Sequence, residues 1–327
     1  MGQSPEARKV LPMLQCPVCH GERWKELAPH DTHFKLFECC RCRTYHIDTK
    51  RPDASELYGE EYYSEESTRR LSGIFQTVWE CVRRKRALRI ARHASKGSRI
   101  CDIGCERGEL LNVLKQQGWE VYGTQLSRQA SKFAREHFGI EVFVGELHAA
   151  PFLNKPFDVV LMIHVLEHLP DPEVYISRVY EMLCPEGIFW VEVPNGASFT
   201  ARLCGKRWLH HDPEHHYWNF NKRNLVQLLN RYGFIVEACS HTSWEHAPIG
   251  CVQSWINFLP GPRNIIFQIV REGLSREPKR LALQILHSIL AGLLLPAAFL
   301  VAGIESLLRN GQIIRVLARK TDHHKKL

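Results

Sequence analysis

The first ten residues, MGQSPEARKV, lack the apolar run of a secretory signal peptide. The twelve cysteines of this 327-residue chain are therefore expected to be reduced thiols in a cytosolic protein rather than a disulfide framework. The opening Met-Gly also lacks the small hydroxyl residue that N-myristoylation needs at the sixth position, where Glu6 stands. No basic and aromatic ladder is present. Lys and Arg, 43 against 35 Asp and Glu, are spread along the chain, and those near the N-terminus (Arg23, Lys25, Arg41, Arg43) are scattered among acids. The net charge of +8 thus suits phosphorylated small molecules or lipid headgroups, and nucleic acid is not an expected partner. With 44% hydrophobic residues the chain is not disordered, and its length suggests two domains or one with appendages.

Residues 281–304, LALQILHSILAGLLLPAAFLVAGI, contain no Asp, Glu, Lys or Arg and are long enough to cross a bilayer. Basic residues flank both ends, which removes an orientation signal, and the following QIIRVLARK reads as a strand of the main sheet. The expectation is membrane contact without crossing: Pro296 divides the run into two short helices that enter one leaflet and return, while Arg276, Lys279 and Arg280 meet anionic headgroups. The alternative is a dimer interface or a helical cover for the core.

Cys16, Cys19, Cys39 and Cys42 form two C-x-x-C knuckles at zinc-ribbon spacing. Four thiolates complete the tetrahedral shell of a structural zinc and leave no open position for chemistry; the alternative is unbound thiols. Cys40 is spare, and His20, His30, His33 and His46 are substitute ligands. Residues 51–76 are acidic and tyrosine-rich, a linker or a cover over a neighbouring pocket. Val78, Val82, Leu88 and Ala91 recur at roughly helical spacing within 77–95.

From residue 98 onward, strands at 98–103, 120–124, 140–144, 157–163, 187–193 and 234–238 alternate with helical stretches, and Ser127 and Asp171 are candidate helix starts. With QIIRVLARK this makes an α/β, doubly wound, seven-stranded sheet. The chain divides into a zinc ribbon (1–50), a linker or cover (51–76), a core (77–263), a hydrophobic helical insertion (264–310) and a last core strand with basic tail (311–327). The turn DIGCERG, after the first core strand, lies where such a sheet binds its ligand. Gly104 and Gly108 permit close approach there, and Asp102 can fix the turn or accept an ammonium group. Glu106 occupies the place of a second close-approach glycine.

The set DIGCERG, VYGTQLS, FDVVLMI with HVLEHLPDP, GIFWVEVPN, EHHYWNF and RYGF resembles the class I S-adenosylmethionine-dependent methyltransferases over roughly 99–240. With the ribbon, it is similar to bacterial members that carry an N-terminal zinc-binding region. The resemblance implies a Rossmann-like fold and S-adenosylmethionine held by Asp102, Gly104, Cys105 and Gly108, with Gln125 near the ribose and Glu146 near the adenine. Glu106 and Gln125 depart from the family's glycine and acidic residue. Either a carboxylate has moved across the pocket, with Gln125 still accepting from a hydroxyl, or the chain is a catalytically silent scaffold. Methyl transfer is an in-line displacement assisted by a base, and His164, His168 and His216 are the candidates, with Glu167 and His215 nearby. His210, His211 and His215 raise a second metal site but show no carboxylate at ligand spacing. The expected acceptor is oxygen or carbon of a small or lipid-linked molecule, a glycan or quinone precursor among them. A homodimer and a location at the cytoplasmic face of a membrane complete the expectation.

Overall fold

The computed structural model describes residues 14–27, 34–49, 73–152, 156–275 and 277–321. Expectations for 51–72, His30, His33 and Arg276 lie outside them. A small antiparallel sheet comes first: β1 (Trp24–Leu27), β2 (Lys35–Cys39) and β3 (Tyr45–Asp48). Helix α1 (Gly73–Ile90) leads into the core; it stops short of residue 95 because the chain turns at Gly97, whose N–H bonds to the Gly118 carbonyl at 3.0 Å.

The alternation expected from hydrophobic patterning then follows: β4 (Arg99–Ile103), α2 (Glu109–Gln116), β5 (Glu120–Gln125), α3 (Arg128–Phe138), β6 (Val142–Val144), β7 (Phe157–Ile163), α4 (Pro172–Met182) and β8 (Leu183–Pro194). Ser127 caps α3, accepting from the Ala130 N–H. Asp171 precedes α4 without a side-chain cap. β6 begins later than expected because Ile140 closes α3 instead, its N–H reaching the Ala134 carbonyl at 3.2 Å behind left-handed Gly139.

After β8 come α5 (Phe199–Cys204), β9 (Trp218–Asn219), α6 (Lys222–Arg231), β10 (Phe234–Ser240), α7 (Ala247–Ile256), α8 (Ile265–Glu272), α9 (Pro278–Leu307) and β11 (Ile313–Lys320). The main sheet has the order β10-β11-β8-β7-β4-β5-β6, with β4 to β8 parallel and β11 antiparallel between β8 and β10. This is the seven-stranded doubly wound sheet read from the pattern, with an antiparallel strand from the C-terminus. Its core strands are buried on both faces, as parallel strands covered by helices must be.

The N-terminal sheet is joined to this body. β3 pairs with β9 (Tyr45 opposite Asn219, His46 opposite Trp218), Trp24 and Trp218 meet at 6.3 Å between ring centroids, and Asn224 on α6 donates to Thr44 at 2.9 Å.

The hydrophobic insertion departs from expectation. α9 is one continuous helix with Pro296 inside it, not two short helices. Leu283, Ala291 and Leu294 before the proline, and Ala298 and Val301 after it, pack against α7 and α8, and this contact on both sides offsets the hydrogen bond that proline cannot donate. The helix is inverted relative to an ordinary amphipathic one. Its buried residues are Gln284, His287, Ala298, Ala302 and Glu305, whereas Leu286, Ile289, Leu293 and Leu300 are 58–73% exposed.

Candidate active site

β4 delivers its last residues to the carboxyl edge of the sheet beside β5 and β7, where the strand order reverses. Gly104 and Gly108 are both left-handed (φ 71° and 73°). At Gly104 a Cβ would come within 2.6 Å of Val165, so the turn is pressed against the loop that follows β7. Glu106 also takes a positive φ, 51°, so the backbone keeps a path that glycine would adopt without strain. Glu106 is exposed to water and stands in the field of Glu109, His164, Arg86 and Arg83.

Asp102 is 4% exposed, and burial, with the like charges of Glu106 and Glu192, pushes its carboxyl up to about 8. A buried carboxyl crowded by two others suits a cationic ligand. Cys105 turns away from the cleft: its sulfur lies under Gly123 and its N–H bonds to the Thr124 carbonyl at 3.1 Å. Gln125, buried at the end of β5, accepts from the Leu126 N–H at 2.7 Å. Glu146 follows β6 and accepts from the Tyr175 hydroxyl of α4. The cleft is backed by an ion cluster that sequence spacing does not reveal. Glu192 is fully buried and bonds Arg315 at 2.8 and 3.2 Å, Arg86 at 3.2 Å and the Trp190 indole at 2.9 Å.

The three candidate histidines lie in two loops. His164 follows β7 with φ 54°, its Nδ1 3.4 Å from Glu167. His168 donates from Nδ1 to the His215 carbonyl (3.1 Å), and His216 from Nδ1 to the His210 carbonyl (2.8 Å). The His168 and His216 rings meet edge-on at 4.6 Å, and Glu167, His168 and His216 each bring one ligand-type atom within 4.8 Å of the others. Carboxylates therefore do join histidines: Glu167 of the loop after β7 meets His168 and His216, and Asp212 and Glu214 of the His-rich loop itself meet His215. Glu167 is fully buried; burial opposes its charge, but the His164 bond and the nearby His168 and His216 outweigh it and hold the carboxyl at about 2. Burial and His216 lower His168 to about 4. The His164 and His210 Nε2 atoms are buried with no hydrogen-bond partner among the described residues. His211 and His215 turn elsewhere, to Asn219 (2.7 Å) and Asp212 (2.9 Å).

The His-rich loop is braced by the N-terminal sheet through β3–β9 pairing and through the Ile47 N–H on the Tyr217 carbonyl at 2.9 Å. There Cys16, Cys19, Cys39 and Cys42 bring their sulfurs within 4.8 Å of one another. Backbone N–H groups of Val18 and Cys19 point at the Cys16 sulfur and that of Gly21 at Cys19. Four converging sulfurs with amides aimed at them form a donor set that fits a tetrahedral zinc. Cys40 is exposed and outside the set.

A family described as "Methyltransferase domain" matches residues 78–238. The chain is 30% identical over 175 residues to a ubiquinone biosynthesis O-methyltransferase of Xanthomonas axonopodis pv. citri, covering 47% of this chain and 70% of that one. It is 35% identical over 114 residues to the enzyme of the same name from Azoarcus sp., covering 33% of this chain and 48% of the relative, so it spans only about half of that relative's length. A crystal structure described as a putative sarcosine dimethylglycine methyltransferase from Galdieria sulphuraria shares the fold at 13% identity, with a TM-score of 0.51 over 83% of this chain and 99% of that one.

Proposed function

We propose that this chain, which belongs to the methyltransferase family, transfers the methyl group of S-adenosylmethionine to oxygen or carbon of a small or lipid-linked acceptor at a membrane surface. The observation that carries the reading is the Asp102–Gly108 turn: two left-handed glycines and a buried, charge-crowded carboxyl at the point where the strand order reverses. Asp102, Gly104 and Gly108 would hold the methionine part, and Gln125 and Glu146 flank the expected positions of ribose and adenine. The bound cofactor supplies an electrophilic methyl on a cationic sulfur.

The rest is positioning and proton management by the chain. His168 is neutral at pH 7, and because its Nδ1 donates to a carbonyl, Nε2 carries the lone pair that can take a proton from an acceptor hydroxyl. Ionised Glu167 stabilises the histidine that receives it. His216, fixed by the His210 carbonyl, faces the same point. One zinc on Cys16, Cys19, Cys39 and Cys42 would stiffen the sheet that braces the His216 loop, a structural rather than chemical contribution.

Membrane contact is supported by the inverted α9, whose outer face exposes Leu286, Ile289, Leu293 and Leu300 and whose length and composition suffice to cross a bilayer. A second reading, a silent methyltransferase-fold scaffold, is favoured by Glu106 at the cleft mouth and by the Gln125 carbonyl already engaged with Leu126. Calorimetry with S-adenosylmethionine decides between them. Binding supports the enzyme; absence of binding at millimolar ligand, restored by Glu106→Gly, supports the scaffold.

A further inference from the structure

A second cavity, of about 540 Å³, opens where the N-terminal sheet meets the core. Its walls come from the segment just after β8 (Asn195, Ala197), the residue just after β10 (His241), the two residues that lead toward β11 (Arg309, Asn310) and the start of α6. β10 runs parallel to β8, and β11 antiparallel to both, so all three strands present this cavity on the carboxyl edge that also carries the Gly104–Gly108 turn. It adjoins the histidine loops: Tyr45 in its wall packs edge-on against His211 at 6.3 Å.

Five cationic side chains line it, Arg43, Arg202, Lys222, Arg223 and Arg309, against the single carboxylate of Glu38, which is paired with Arg43 at 3.1 Å. Arg202, Lys222, Arg223 and Arg309 have no ion-pair partner among the described residues. Two of these cations stand at the N-terminus of α6, whose first turn has no acidic residue. Positive side chains there oppose the helix dipole and weaken the helix, so stability does not account for them. Arg43 and Arg309 both take left-handed backbones, φ 62° and 53°, uncommon for arginine. His241 also lines the cavity. It is 6% exposed, and its buried Nδ1 has no hydrogen-bond partner among the described residues.

The cavity has an apolar shoulder. The outer face of α9 runs directly into it: Leu307 and Leu308, 84% and 72% exposed, precede Arg309 in the chain. On the neighbouring α5, exposed Phe199 and Leu203 flank Arg202, and the two helices are tied by Glu305, which accepts from the Thr200 hydroxyl at 2.9 Å.

We infer that the cavity seats a phosphate or diphosphate of the methyl acceptor, whose hydrocarbon chain lies along Phe199, Leu203, Leu307 and Leu308. The acceptor is thus a lipid-linked phosphate; the inference rests on the methyltransferase reading. Charge alone fits a nucleotide-linked diphosphate equally well, but a soluble nucleotide would leave the leucine shoulder uncovered.

The test uses the full chain, with inorganic pyrophosphate, uridine diphosphate and monomeric farnesyl diphosphate as probes, each titrated with S-adenosylmethionine binding read on the same samples. Pyrophosphate should bind, and farnesyl diphosphate at least about tenfold more tightly, since each buried methylene adds to affinity. Arg202→Gln with Arg309→Gln should weaken both by about tenfold or more, and Lys222→Gln with Arg223→Gln provides an independent pair that avoids α5 and α9. Leu307→Ser with Leu308→Ser should remove the farnesyl advantage and leave pyrophosphate unchanged. Pyrophosphate binding that is absent, or unaffected by both charge-neutralised pairs, overturns the site. Uridine diphosphate binding more tightly than farnesyl diphosphate overturns the lipid assignment. Diphosphate binding with no S-adenosylmethionine binding would instead sink the methyltransferase reading and leave the anion site standing.

Discussion

Replacing Asp102 by Asn should make the cofactor-free protein more stable while impairing cofactor binding. Asp102 is 4% exposed, and burial together with Glu106 and Glu192 raises its carboxyl from 3.8 to about 8, with only Arg86 opposing. Because the folded-state value lies above the unfolded one, the folded chain holds a proton that the unfolded chain has released at any pH between the two. Stability then falls as pH rises through that window, by about 1.4 kcal/mol per pH unit, and levels off above about 8. At pH 7 the accumulated cost is about 4 kcal/mol, a large part of the 5–15 kcal/mol that ordinarily separates folded from unfolded chains. Asn keeps the shape and has no proton to hold, so Asp102→Asn should gain up to about 4 kcal/mol at pH 7, roughly ten degrees in Tm, and almost nothing near pH 4. Urea unfolding of both proteins across this pH range measures the difference. Glu106→Gln, which removes one of the like charges, should recover a smaller part of the same gain. A variant no more stable than the parent at pH 7, or a gain that does not grow with pH, would refute the reasoning. The carboxyl is then a group kept for ligand binding at the expense of the fold.

Glu192→Ala leaves Arg86 and Arg315 buried without their shared carboxylate and should cost about 3–5 kcal/mol in urea unfolding; a loss under about 1 kcal/mol would show that Glu245 compensates. Burial opposes the Glu192 charge, but Arg86 and Arg315 hold the carboxyl well below its ordinary range, so its contribution is present above about pH 4 and fades only as pH falls toward that lower value. Elemental analysis should find one zinc per chain, and chelation should loosen the N-terminal sheet first, by hydrogen exchange, with the His210–His216 loop following through β9; metal content unchanged after Cys16→Ser with Cys39→Ser contradicts the site. Leu286→Lys with Leu293→Lys, both on the outer face of α9, should abolish liposome flotation without lowering S-adenosylmethionine affinity; equal flotation of parent and variant removes the membrane contact.

Much of this molecule was legible locally. Helices followed from periodicity, because one buried face imposes its spacing on the segment that forms it, and the core strands followed from short apolar runs, because they are buried on both faces. The C-x-x-C knuckles converge because each pair is bent by its own short turn. The glycine turn after the first core strand was readable for the same reason: its geometry depends on a handful of adjacent residues. Partners brought together by chain closure were not legible. His216 joins the adjacent pair Glu167 and His168 only because β9 returns beside the loop after β7, and Glu192 meets Arg86 and Arg315 only once α1, β8 and β11 share one sheet face. In α9 composition alone marked an apolar run, and Pro296 argued for a break; packing on α7 and α8 decided for one continuous helix, and only that packing sorted polar residues inward and leucines outward. The basic cavity is the clearest case. Arg43, Arg202, Lys222, Arg223 and Arg309 are scattered through the sequence among ordinary surface charges, and the fold alone, by pairing the N-terminal sheet with β9 and setting β11 between β8 and β10, turns them toward one space.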